Sequence, residues 1–432
     1  MLKSVLPLSF IIGNRFFGIF IVLPVLSLYA LNLEGANEFL VGVLIGGYAI
    51  TQMIFQVPFG VLSDKIGRKK SIAIGLLIFI AGSFICAVSA DIYMMIFGRL
   101  LQGVGAIGAV ATAMISDYTS EDNRSKAMAI MGVFIGLAFS LSMILSPILS
   151  KSWGLSGLFY LSGGLSILCL VLLFTAVPKD VKVVHIEEKV PFSKLILQKD
   201  FLIISITNLM QKMLTSIAFL AIPIILVNEL GFLKDSLWQV YAISTVFGFI
   251  AMGLGGFLGD GKGLSKAILL VGVGLFIGAY SFFSVASSSF VFIIGVVVFF
   301  IGFNLHEPIM QSCATKFVKS KQKGAALGVF NAFGYFGSFV GGIFGGYVLH
   351  KHSMFELGVV CVVLCCIWLL GLLRLKDPRV FKSLKFSKDT DISALDGVSG
   401  VFDRVLNDKA KIVKIDQSII SEEKIREILN IK

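Results

Sequence analysis

Four ionisable residues, Arg15, Arg99, Lys212 and Glu307, stand inside long apolar runs of this sequence. Counted from the ends of those runs at 1.5 Å per residue, Arg15 lies about 15 Å, Arg99 about 12 Å and Lys212 about 17 Å deep. In a hydrocarbon layer of about 30 Å all three cations fall near the middle. A charge there costs several kcal/mol unless it faces water or a partner, so each is read as lining an internal cavity. Arg99 also reads as a structural arginine satisfied by backbone carbonyls. Glu307 sits between His306 and Pro308, roughly 26 Å into its run and so close to the opposite end. Three central cations with a remote acid suit an anionic or neutral amphipathic ligand. Lys212, His306 and Glu307 are the candidates for proton coupling, since arginine stays charged; the alternative for Glu307 is a structural partner of a basic residue near the cytoplasmic seam. Polar stripes at helical spacing, Tyr48, Gln52 and Gln56 in one run and Asn208, Gln211, Lys212 and Thr215 in another, arise from packing or from a cavity wall. Gln52, Gln56, Gln102 and Asn208 are assigned to the cavity beside Arg15, Arg99 and Lys212.

The elements that must carry these residues are transmembrane helices. Of 432 residues, 56% are hydrophobic and 15% charged, with a mean hydropathy of +0.93. A soluble domain carries about a quarter charged residues, so a soluble enzyme, a nucleic-acid binder and a secreted disulfide scaffold are all excluded. Apolar runs recur near 5–31, 39–62, 71–90, 91–115, 125–149 and 154–177, then near 201–228, 237–258, 265–286, 290–312, 322–349 and 354–375. The third and fourth are separated only by Asp91. Twelve spans put both termini on one side. Loops on that side hold seventeen Lys/Arg, against Lys151, Lys234 and Lys351 on the other, which places the termini in the cytoplasm. The net charge of +11 is therefore mostly a topology signal. The first run has no cleavage site and reads as a span. The six cysteines lie in apolar runs and read as packing residues, and no metal site is expected.

GVLSDKIGRKK at 60–70 follows the second run and GFLGDGKGLSK at 256–266 the eighth, with five of eleven positions identical. One motif at the same place in each half implies two six-helix halves. The expected organisation is an all-α polytopic membrane protein with halves at 1–177 and 201–375. A cytoplasmic central loop at 178–200 joins them, and a linker with a small cytoplasmic α/β module follows at 376–432. In that module strands are expected near 384–386, 398–406 and 410–415, with a turn at Asn407, Asp408 and Lys409 and a helix capped by Ser421.

Residues 60–70 resemble the loop signature G-x-L-x-D-x-x-G-R-K of the major facilitator superfamily, and GRLLQGVGA at 98–106 resembles that family's R-x-x-Q-G motif. SDYTSEDNRSKAMA and GVFNAFGYFG extend the resemblance to its drug:proton antiporter family, within which GVSGVFDRVLNDKAKIVKIDQSIISEEKIREIL is similar to the second half of a ferredoxin-like tail domain; the first helix of that fold is shortened here. The resemblance implies a conformational latch of Gly60, Asp64, Gly67, Arg68 and Asp117, with Gly60 and Gly67 permitting close helix approach and a tight turn. Asp64 would accept hydrogen bonds from a helix N-terminus across the seam between the halves. Around Pro147 the antiporter signature would have glycines where Ser142, Ser146 and Ser150 stand. Gly337, Gly341 and Gly345 have the spacing of close helix packing.

The implied function is secondary active transport in the bacterial inner membrane, as proton-coupled efflux of small amphipathic compounds by alternating access. It needs no cofactor beyond the proton motive force. A metabolite facilitator or proton symporter of the same fold is the alternative, and a membrane sensor signalling through the tail is a third reading. No catalytic constellation appears in the spans, so an enzyme is not expected. The expected partners are the lipid bilayer, a small-molecule substrate and, for the tail, a regulator or the protein's own cytoplasmic loops. The chain is expected to act as a monomer.

Overall fold

The computed structural model describes residues 2–119, 121–178, 180, 195–319, 322–387, 390–395, 397–406 and 411–429. Most of the central loop and the Asn407–Lys409 turn lie outside them. Helices α1 (Leu2–Phe20) and α2 (Leu23–Ala30) make the first crossing, broken where Pro24 enters and removes a backbone donor. Helix α3 (Glu38–Ile66) is capped by Asn37, whose side chain accepts from the Leu40 amide. Helix α4 spans Arg68–Val88. The boundary at Asp91 is a true N-cap, its carboxylate accepting from the Met94 amide at 2.9 Å. It starts α5 (Ile92–Val104), and α6 (Gly108–Asp117) completes that crossing.

Helix α7 (Glu121–Thr175) runs for 55 residues and is interrupted only at Gly154, where φ is +64° and ψ −173°. At 1.5 Å per residue it is about twice the length a bilayer needs. Its arms lie side by side, because Gly13 touches Phe134 on one while the neighbouring Asn14 donates to the Leu165 carbonyl on the other. Gly154 therefore turns the chain between the fifth and sixth crossings. The second half repeats the plan with α8 (Lys199–Ile224), α9 (Leu237–Gly256), α10 (Ser265–Val285), α11 (Ser289–Lys316), α12 (Lys323–Lys351) and α13 (Met354–Leu373). Aromatic rings fill its centre, with Phe276 edge-on to Phe299 at 5.2 Å and tilted against Trp368 at 5.6 Å. Large apolar side chains such as Leu77, Val171, Val246 and Leu370 point outward, as expected where lipid is the solvent. Five cysteines pack inside, but Cys366 is exposed on the outer face of α13, so it is not a packing residue.

The tail forms strands β1 (Phe381–Phe386), β2 (Val401–Leu406) and β3 (Lys411–Asp416) in antiparallel order β1-β3-β2, with helix α14 (Glu422–Ile428). Strand β1 starts three residues earlier than the sequence suggested, because Phe381 pairs with Asp416 at the sheet end. Ser421 caps α14 by accepting from the Lys424 amide, and Ile425 is buried with Leu384, Val413 and Ile415. Between β1 and β2 the described residues hold one 3-10 turn, Ser393–Leu395.

The module is seated on the second half. The Lys414 ammonium lies over the Phe381 and Phe402 rings and donates to the Lys316 and Val318 carbonyls at the end of α11. Phe381 meets Phe317 edge-on at 5.9 Å, Lys376 pairs with Asp416, and the Lys376 amide donates to Asp200 at 2.8 Å.

The two halves touch on the face away from the tail. There α3 crosses α12 with Gly42 and Gly46 against Gly342, Gly346 and Phe339. Glu38 pairs with His350 at 2.9 Å, Lys151 with Asp235 at 2.8 Å, and the Tyr241 hydroxyl donates to the Pro24 carbonyl at 3.3 Å. On the tail side Gly60, Gly324 and Gly328 have open space where a β-carbon would stand. Val57, Pro58, Val61, Leu62 and Lys65 line an apolar groove of about 430 Å³ there. The halves are parted toward the tail and closed on the far side.

Candidate functional site

The membrane interior holds an ion pair that depth counting did not foresee. Lys212 on α8 pairs with Glu307 on α11, and Gln211 donates to the same carboxylate oxygen at 3.3 Å. The acid expected near a membrane end thus reaches a central cation. Each residue was counted along its own run from opposite faces, and the two meet at their side-chain tips. Both side chains are 29% exposed, and the Lys212 ammonium also lies 5.0 Å from the centre of the Phe303 ring. His306, the neighbour of Glu307, turns the other way. It is fully buried, its Nε2 2.8 Å from the Leu269 carbonyl, which makes Nε2 the protonated nitrogen. Its ring packs on Phe276 and Trp368, so it does not share a site with the Glu307 carboxylate.

Arg15 and Arg99 in the first half make no ion pair with a carboxylate among the described residues. Arg15 from α1 lies 3.5 Å from Gln52 Oε1, with its guanidinium near the Phe16 and Phe79 rings. Arg99 from α5 donates to Gln102 at 2.8 Å and covers the Tyr48 ring at 4.8 Å. Gln102 passes the chain on to Ser83, and Asn208 donates to the Phe330 carbonyl. Both amides are thus engaged inside their own half. Gln52 reaches across the seam, donating to the Tyr335 hydroxyl at 2.8 Å. Tyr335 was not singled out from sequence, since an aromatic in a glycine-rich helix carries no distinctive pattern. Gln56 borders a small cavity beside it, with Met53, Val57, Gly328 and Ala332.

At the tail-side end of α3, Gly67 adopts φ +97°, a conformation that favours glycine, and the Lys69 amide donates to Asp180 at 3.1 Å. Arg68 binds Asp117 at 3.2 Å and Asp64 at 2.5 Å. The Asp64 side chain is 65% exposed, and its partner here is Arg68 rather than a helix end across the seam. Gly60 makes no close approach. Both departures have one cause, the parting of the halves on this side. Gly337 and Gly341 bring α12 onto the backbone of α8 at Leu209 and Met213, and Gly345 meets Ile217. Pro147 lies inside α7, with the Ser142 hydroxyl donating to the Phe17 carbonyl at 3.3 Å.

The Major Facilitator Superfamily model matches this chain over residues 8–342 and again over 204–410. The chain belongs to the major facilitator superfamily. Within it, the chain is similar to the inner membrane transport protein YajR of Escherichia coli (strain K12), 35% identical over 395 residues, covering 90% of this chain and 86% of that protein. It is similar at 31% identity over 185 residues, 40% of this chain and 44% of the other, to the quinolone resistance protein NorA of Staphylococcus aureus (strain N315). Among solved structures, a bacterial homolog of the human lysosomal transporter Spinster, inward-facing and occupied, superposes with a TM-score of 0.70 at 14% identity, covering 85% of this chain and 95% of that one. A D-xylose-proton symporter does so with 0.70 at 16% identity, covering 87% and 98%. This member of the major facilitator superfamily is a multi-pass membrane transporter, not an enzyme.

Proposed function

We propose that the protein is a proton-coupled exporter of small amphipathic compounds that works by alternating access, with both termini in the cytoplasm of a bacterial cell. The observation that carries this reading is the Lys212–Glu307 pair, half-open on the inner wall of the second half. A membrane-embedded carboxylate changes charge with one proton, and its pairing to a lysine makes that proton's arrival break a contact. With cytoplasmic termini, the opening beside the tail faces inward, and the ionised pair represents the state after proton release. Substrate enters from the cytoplasm, the halves rock, and a proton taken up by Glu307 from outside accompanies the return.

In this reading Gly60, Asp64, Gly67, Arg68 and Asp117 latch the cytoplasmic side once it closes. Arg68 and Asp117 hold the loop within the first half, leaving Asp64 to reach the N-terminus of α12, where backbone amides favour an anion.

Inside-out vesicles with an acidified interior test it. An exported substrate should collapse the gradient, and Glu307→Gln should abolish that collapse while leaving substrate–substrate exchange. Gradient-independent uptake in wild type, or collapse unchanged in Glu307→Gln, overturns the reading. Symport is the second reading, favoured by Ser142, Ser146 and Ser150 replacing close-packing glycines; in the same vesicles it drives substrate out together with protons.

A further inference from the structure

Arg15 and Arg99 are 1% and 0% exposed. They lean on one face of α3 a turn apart, Arg99 over the Tyr48 ring and Arg15 beside Gln52. Nε and Nη1 of Arg15 and Nε and Nη2 of Arg99 have no hydrogen-bond partner among the described residues. No ion pair with a carboxylate involves either arginine there, since Glu307 is spent on Lys212. Two buried like charges and four unused donors are costly. Guanidinium groups are built to be satisfied by an acceptor that carries negative charge.

We propose that Arg15 and Arg99, closed over by Gln52, form a buried anion site in the first half that takes the carboxylate of an amphipathic organic acid. A halide is the smaller anion of the same chemistry. Phe16 and Phe79, whose ring centres lie 5.9 and 5.5 Å from the Arg15 guanidinium, offer an apolar wall for the body of such an acid. A small cavity of about 50 Å³ borders Tyr335, the partner of Gln52 across the seam. The Gln52–Tyr335 hydrogen bond joins the two halves at 2.8 Å, so an anion that draws Gln52 toward the arginines also alters the seam. The organic acid as cargo rests on the transport reading above; the anion site does not.

Thermal unfolding of the purified full-length protein tests it, with isethionate, which has no carboxylate, as the reference salt and benzoate or chloride added at constant ionic strength. The expected result is a saturable rise in Tm with benzoate, an apparent benzoate Kd that increases with added chloride, and at least tenfold weaker binding in Arg99→Gln and Arg15→Gln. Should either variant fail to fold, the wild-type competition and Gln52→Leu, whose amide lies beside Arg15 and which is expected to bind severalfold more weakly, still decide. Stabilisation by chloride alone overturns the organic acid and leaves a halide site. No anion-specific stabilisation, or stabilisation unchanged in the variants, overturns the site. Vesicles that fail to couple protons while benzoate still binds would reject the transport reading and not this one.

Discussion

Gly42 and Gly342 meet backbone to backbone where α3 crosses α12, so closely that a β-carbon on either would strike the carbonyl oxygen of the other. The crossing seals the face away from the tail, with Gly46 and Gly346 continuing the contact. Small residues make such close approach possible in a membrane, where no hydrophobic drive holds helices together.

Gly342→Leu should therefore open this face. Overpacking costs about 1–3 kcal/mol, enough to invert a modest preference between two transporter states. In a Cys366→Ser background, a cysteine at Leu349, which packs at the junction of the halves, should react with a membrane-impermeant maleimide severalfold faster. Unchanged labelling would mean that the crossing does not hold the face shut.

Asp64 should matter at a different step. The Arg68 guanidinium donates to the carboxylates of both Asp117 and Asp64. Asp64 is the exposed member of this trio. Asp64→Asn is expected to lower the maximal transport rate about tenfold while leaving the substrate concentration for half-maximal rate on the tail side unchanged. Loss of apparent affinity instead would place Asp64 in binding rather than in closure.

The seat of the tail module carries a pH signature of unintuitive sign. Burial, with help from Lys323 and Lys316, lowers the Lys414 pKa to about 8 in the docked module, against about 10.4 for a free lysine. Between those values the undocked module binds more protons, so docking strengthens as pH rises from about 8 toward 10. Spin labels at the exposed Lys319 and Ser383 should report a larger docked fraction at pH 9.5 than at pH 7.5. Lys414→Met should dock at both values without that trend. Docking that weakens with rising pH would contradict the assignment.

The twelve crossings were legible because lipid demands long apolar runs, and the boundary at Asp91 was legible because a capping carboxylate followed by an apolar helix is a local signal. The α7 turn at Gly154 was marked by one residue with positive φ and little change in polarity. Ser421 announced α14 for the same reason as Asp91. The Lys212–Glu307 pair was not legible. Its members are 95 positions apart, and depth along separate helices says nothing of which side chains converge. The loop motif named its residues, yet whether Asp64 reaches across the seam depends on the relation of the two halves, which no local pattern encodes. Arg15 and Arg99 were recognised as buried, but their shared face on α3 became visible only from the packing.

Among the described residues the tail module touches the end of α11, Phe317 and, through Arg379, the loop at Gly263. All of these belong to the second half. A body that rides on one half keeps the same neighbours however the halves rock, so a molecule gripping the docked module gains equal free energy in every state of the cycle. Such binding is thermodynamically silent. To act as a brake or an accelerator, a ligand of the module must either lift it from its seat or bridge it to the first half.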